Sequence, residues 1–216
     1  HDQISPEKKE EVAKATVSLP PALIYTQSFK VPYIDENKLH DSATLNMQMI
    51  SPISVENAYM SWQKIGEVDD QLELLGAFIS KETLNQIRDL LINAKFYPIT
   101  FEFPGLGLAR ITNEVLGSNE KPILLIEVST DGLDLLILRN GSLYFDYFIS
   151  WSKIQDTQGQ ITKELFDQEI IREIQKVSNF LISSFKEKFD KDVLIAPGIE
   201  EQIKTLIENL NLKSAP

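Results

Sequence analysis

The stretch that decides the fold runs Ile123-Leu124-Leu125-Ile126-Glu127-Val128, then Ser129-Thr130-Asp131-Gly132, then Leu133-Asp134-Leu135-Leu136-Ile137-Leu138-Arg139, and closes on Asn140-Gly141. The first and third pieces are nearly unbroken apolar runs of strand length, as expected of strands buried on both faces. Asn-Gly between two strands predicts a type I′ hairpin, because both central residues must accept positive φ. Ser142 to Ile149 is the returning strand. Three antiparallel strands in succession are therefore predicted.

Downstream, Phe166, Ile170, Ile174, Val177, Leu181 and Phe185 recur at helical spacing and predict one long amphipathic helix. Val193 to Ala196 reads as a short buried strand, Pro197-Gly198 as a turn, and Ile199 to Leu210 as a last helix. That helix carries Glu200, Glu201 and Glu208 against Lys204 on its polar face. Interfacial helices are usually basic there, so packing onto the sheet is expected rather than membrane contact.

Upstream, His1 to Lys14 is charged and weakly periodic, and reads as a linker or frayed helix. Thr16 to Leu19 reads as a strand, Pro20-Pro21 as a break, and Ala22 to Val31 as a second extended run. A helix is expected from an Asp35 N-cap to Ile50, with Leu39, Ala43, Met47 and Ile50 on one face. Val55 to Ile65 and Gln71 to Ile79 are expected to form a hairpin across Gly66 to Asp70. A helix capped by Ser80 follows, with Leu84, Ile87 and Leu91 buried, then a strand from Phe96 to Phe103. Pro104-Gly105 is the natural boundary, and Leu106 to Leu116 looks helical. The organisation is thus residues 1–14 as linker, 15–104 as a compact α+β subdomain and 105–216 as a second lobe, in an α/β (α+β) chain.

Composition excludes several chemistries. The chain has 216 residues and no cysteine, which removes disulfides, thiolate metal sites and cysteine nucleophiles. The two histidines, His1 and His40, are too few for a histidine-based zinc site or a Ser-His-Asp relay, so no metal site is expected. Twenty-one lysines and arginines against 32 aspartates and glutamates give a formal charge of −11, which repels phosphate backbones and argues against nucleic acid. No apolar run reaches the ~18 residues of a membrane span. The chain does not open on methionine, so it reads as a piece of a longer protein.

Several segments in order resemble the PilM family of type IV pilus assembly proteins, bacterial actin-like relatives of FtsA. They are Val17-Ser18-Leu19-Pro20, Phe29-Lys30-Val31-Pro32 with Asp35-Glu36, and Ser51-Pro52-Ile53. Ala77-Phe78-Ile79-Ser80-Lys81-Glu82, Ala94-Lys95-Phe96-Tyr97-Pro98 and the run Phe103 to Arg110 continue the series. The resemblance implies a partial actin-like fold. Its first half would be an SHS2-like strand-helix-strand-strand subdomain used for protein contacts, and its second an RNase-H-like lobe holding a phosphate turn and an adenosine-side turn. The first phosphate-binding hairpin of the family would lie upstream of this sequence.

At the position of the family's phosphate turn stands Glu127-Val128-Ser129-Thr130-Asp131-Gly132. Glutamate replaces the family's aspartate and serine its glycine; a ~1 Å misplacement of such a group costs about a hundredfold in rate. Gly198 stands alone where relatives carry a glycine-rich adenosine turn. If nucleotide is bound, Glu127, Ser129, Thr130, Asp131 and Gly198 are the candidates. No catalytic residue is expected, and no cofactor, with ATP and Mg as the alternative.

The leading expectation is a non-catalytic cytoplasmic adaptor, recruited to the inner face of the membrane without inserting into it. Its partner would be a short cytosolic segment of an inner-membrane pilus or secretion protein, docked between the lobes near Leu19, Phe29, Val31, Leu39 and Met47. The competing expectation is an ATP-binding actin-like protein, and a third is an unrelated α+β interaction domain. Self-association is left open.

Overall fold

The structure, a computed structural model, describes residues 13–118, 120–155, 159–186 and 188–209. The linker reading of residues 1–12, with His1, and the end of the last helix at Leu210 lie outside them, as does the side chain of Phe185.

The first half begins with β1 (Ala13–Ser18), and β2 (Tyr25–Pro32) follows a 3₁₀ turn at Pro21–Leu23. Then come α1 (Glu36–Ile50), β3 (Ala58–Val68), β4 (Gln71–Ser80), α2 (Lys81–Asn93) and β5 (Phe96–Glu102). The second half holds α3 (Pro104–Leu116), β6 (Ile123–Val128), β7 (Gly132–Arg139), β8 (Ser142–Ser150), α4 (Lys163–Phe185), β9 (Lys191–Ile195) and α5 (Glu200–Asn209).

Three sheets result: β1 beside β5 in parallel, β2-β4-β3 antiparallel, and β8-β7-β6-β9 with β9 parallel to β6. The predicted Asn-Gly turn is present, with φ of 50° at Asn140 and 73° at Gly141. Every residue of β7 from Gly132 to Leu138 is buried, as a strand covered on both faces requires. One core spans this sheet, α4 and α5, and reaches into the first half through Ile65 and Leu75. A second, smaller cluster of Val31, Ala43, Leu72 and Leu74 fills the space under α1.

Several local expectations shift. The strand expected from Thr16 begins at Ala13, because its partner is β5, some eighty residues on, and the pairing sets its length. The β3–β4 connection is not a Gly66-to-Asp70 loop. The strands pair down to Val68 and Gln71, and Asp69-Asp70 forms the turn with both residues at positive φ. Gly66 lies inside β3 beside a bulge, where a side chain would collide with the Tyr144 hydroxyl and reach Glu73 at 2.9 Å. Helix α3 starts at Pro104, which takes the first helical position that suits its missing N–H. The stripe Leu84, Ile87 and Leu91 is only half-buried, because α2 lies on the narrow β1–β5 pair, which covers little of it.

The halves meet at a polar joint. The Tyr144 hydroxyl on β8 donates to Glu73 on β4 at 3.0 Å, while Lys30 on β2 holds the same carboxylate at 3.3 Å. Glu73 is buried, so each partner offsets part of the cost of taking its charge out of water. Burial and the nearby Glu73 charge push the Tyr144 hydroxyl up, which keeps it a donor.

Candidate functional site

The turn between β6 and β7 spends its own polar groups. The Ser129 hydroxyl oxygen accepts from the backbone N–H of Asp131 at 3.2 Å and of Gly132 at 3.3 Å. The Ser129 N–H donates to the Gly132 carbonyl at 2.9 Å. Trp151, its ring tilted against Phe166 with centroids 5.2 Å apart, closes the other side: its indole N–H donates to the Ser129 carbonyl at 2.8 Å and its backbone N–H to the Asp131 carbonyl at 3.1 Å. An anion-binding turn needs backbone N–H groups aimed outward. Here those of Asp131 and Gly132 are turned onto the Ser129 hydroxyl.

Gly132 serves packing rather than ligand approach. A Cβ there would fall on the Ile149 carbonyl oxygen and 2.6 Å from the Phe148 ring. Thr130 and Asp131 are exposed, and the Thr130 hydroxyl reaches only Asp131, at 3.5 Å. Because β9 runs parallel to β6 with Ile195 opposite Glu127, the turn holding Gly198 emerges at the same end of the sheet. Gly198 has φ of 83° with nothing within 4 Å of an added Cβ, so it is a turn residue in open space.

Below the turn the charge is acidic. Glu127 faces Asp134 across the β6–β7 ladder, and Asp146 lies diagonally from Asp134 on β8. Burial raises the Glu127 carboxyl above its ordinary value. Burial first, then the adjoining Asp146, pushes Asp134 up to about 9, and burial pushes Asp146 up to about 6. Among the described residues no group of three or more acids or histidines is arranged to hold a metal ion. A turn that holds the amides of Ser129, Asp131 and Gly132 in its own hydrogen bonds is a poor cradle for phosphate.

The other concavity is apolar. A groove of about 360 Å³ opens between the β2-β4-β3 sheet and the β1–β5 pair. Leu75, Ala77 and Ile79 of β4 floor it, Tyr59, Ser61 and Gln63 of β3 form one rim, and Leu19, Phe103 and Leu106 face them. The fold places β3 at the outside of its sheet, so the rim follows an unpaired strand edge.

Of the five residues expected to touch a partner, Leu19 lines this groove. Phe29, Val31, Leu39 and Met47 instead lie between α1 and the sheet. Val31 is 0% and Met47 1% exposed, so a partner could reach them only by displacing α1. The groove residues of β4 carried a signal that was not used. Apolar residues on both alternating faces of one strand require two covers, α1 on one side and something else on the other.

No protein-family model matches the chain. Among curated proteins, the Polycomb group protein EMBRYONIC FLOWER 2 of Arabidopsis thaliana is 25% identical over 138 residues, covering 58% of this chain. The chain spans only 22% of that protein's length, and the match establishes no family. Among solved structures, the PilM-PilN type IV pilus biogenesis complex aligns over 92% of this chain and 66% of its own at a TM-score of 0.70, with 12% identity. The cytoplasmic domain of EpsL, an inner membrane component of the type II secretion system of Vibrio cholerae, aligns over 94% of this chain and 76% of its own at a TM-score of 0.51, with 11% identity. At such identities the likeness shows the fold alone, a mixed α/β architecture as expected from the sequence. Among the described residues no helix is long and apolar enough to cross a membrane.

Proposed function

We propose that this chain is a non-catalytic, actin-like adaptor of a type IV pilus or related secretion machine, acting on the cytoplasmic side of an inner membrane. It holds a short extended segment of an inner-membrane partner's cytosolic tail in the groove between its β2-β4-β3 sheet and the β1–β5 pair. The observation that carries this reading is the groove itself: an apolar floor of Leu75, Ala77 and Ile79 beside the unpaired edge of β3. An extended peptide could take main-chain hydrogen bonds from the edge and place alternate apolar side chains on the floor. The fold shared with the PilM-PilN type IV pilus biogenesis complex and with EpsL, an inner membrane component of a type II secretion system, supports the choice of machine.

The nucleotide alternative draws on the same fold, but the residues at the turn oppose it. The test uses fluorescent peptides copied from the cytosolic tails of inner-membrane proteins encoded beside this chain. A tail should bind the wild type and lose at least about tenfold, or ~1.4 kcal/mol, on Ser61→Arg, which charges and fills the groove mouth. If every tail fails to bind while Mg-ATP raises the melting temperature by several degrees, the adaptor reading is wrong and the nucleotide reading stands.

A further inference from the structure

Asp134 is 3% exposed, and neither of its carboxyl oxygens meets a hydrogen-bond donor among the described residues. An unpaired ionised carboxylate at that depth costs several kcal/mol. Its neighbour on the same face of the sheet is Asp146, set diagonally across the β7–β8 ladder. Two carboxyls that close cannot both ionise cheaply, and a single proton between them satisfies both. Asp146 also lies under the first turn of α3, where a Cβ added to Gly105 would stand 2.7 Å from its Oδ2. The α3 macrodipole favours the negative charge at that oxygen, so Asp146 keeps the charge and Asp134 keeps the proton.

From this arrangement we infer that Asp134 and Asp146 form a proton-binding pair, one shared proton seating the N-terminus of α3 on β8 and making the joint between the halves responsive to pH.

The surroundings supply no competing cation among the described residues. From β6 the facing group is Glu127, an added negative charge opposite Asp134. From α3 it is the N-terminal backbone around Gly105, and from β2 it is Thr26, whose hydroxyl reaches the Asp146 carbonyl at 3.5 Å. Loss of the shared proton therefore leaves three carboxylates in one row with only the α3 N-terminus to balance them. Helix α3 follows directly on β5 and packs on β8, so loosening it loosens the link between the halves.

The sign follows from the raised folded-state values. Each carboxyl contributes stability fully below its ordinary value of 3.8, and the contribution is lost as pH rises through about 6 for Asp146 and about 9 for Asp134. Between those two values the Asp134 proton governs, and the melting temperature falls as pH rises.

Infrared difference spectra of the wild-type chain read the proton without any variant. A protonated-carboxyl band should be present at neutral pH, fade as pH passes about 9, and be missing from Asp134→Asn. In Asp134→Asn the amide donates permanently to Asp146, so the melting temperature should lose its decline between pH 6 and 9. The joint is read by spin labels on cysteines introduced at the exposed positions Val115 on α3 and Met49 on α1, in a chain with no native cysteine. The label distance should broaden above about pH 9 in the wild-type background and stay narrow in Asp134→Asn. Absence of the carboxyl band at neutral pH overturns the proton pair. A distance unchanged through that range overturns the coupling to α3. A melting temperature raised by Mg²⁺ or Ca²⁺ alone, in the wild type but not in Asp134→Asn, replaces the proton with a cation and also overturns the inference.

Discussion

The Ser129–Gly132 turn and the groove over Leu75, Ala77 and Ile79 are two candidate places for a ligand, and they treat their surface oppositely. The turn has polar groups of the kind a phosphate wants, but Ser129 and Trp151 bind them, and the carboxyl groups of Glu127, Asp134 and Asp146 lie beneath. The groove keeps its polar groups to the rim and leaves an apolar floor open beside a strand edge. The Ser129 hydroxyl, by taking the amides of Asp131 and Gly132, closes the turn on itself.

The contrast can be broken or sharpened by four substitutions. The largest effect is expected for Gly132→Ala, which drives a methyl into the Ile149 backbone and the Phe148 ring. It should cost about 3 kcal/mol in urea unfolding, the upper end for overpacking. A neutral result would mean that the glycine serves a ligand rather than the packing. Tyr144→Phe should cost about 2 kcal/mol, because Glu73 stays buried with one hydrogen-bond donor fewer. Comparing the variant with Glu73→Gln in a double-mutant cycle isolates that bond.

Ser129→Ala releases the amides of Asp131 and Gly132 and should cost about 1 kcal/mol. Mg-ATP should still not stabilise this variant, since the carboxylates remain; a gain of nucleotide binding would show that the hydroxyl alone closes the turn. The smallest effect on stability belongs to Ser61→Arg, exposed at the groove rim, within about 0.5 kcal/mol of wild type by thermal melting. Its effect on tail binding should be large by comparison, which separates a binding surface from a structural one.

What could be read from the sequence was local. Strands β6 to β8, the Asn140-Gly141 turn and helices α1, α2, α4 and α5 declare themselves in runs and periods within a few residues. The β1–β5 pairing, the bulge at Gly66 and the Asp69-Asp70 turn depend on register between distant or bulged strands, which no local pattern carries. The site divides in the same way. The altered chemistry of Glu127-to-Gly132 was visible as substitutions, but the Ser129 cap needed backbone geometry. Asp134 read as one more acidic charge, because its pairing with Asp146 exists only once β7 and β8 are in register. Leu19, Val31 and Met47 share the same apolar character in the sequence, yet Leu19 lines the groove while Val31 and Met47 lie under α1.

The central claim is that the groove accepts a ligand and the turn does not, and methyl-detected NMR of one sample can watch both. Adding a binding tail peptide should shift the methyl signals of Leu19, Leu75, Ile79 and Leu106, which line the groove. Adding millimolar Mg-ATP should leave Val128, Leu133 and Ile195, around the turn, where they were. Saturable shifts at Val128 and Leu133 with Mg-ATP, with the groove signals unmoved by every tail, would contradict the account.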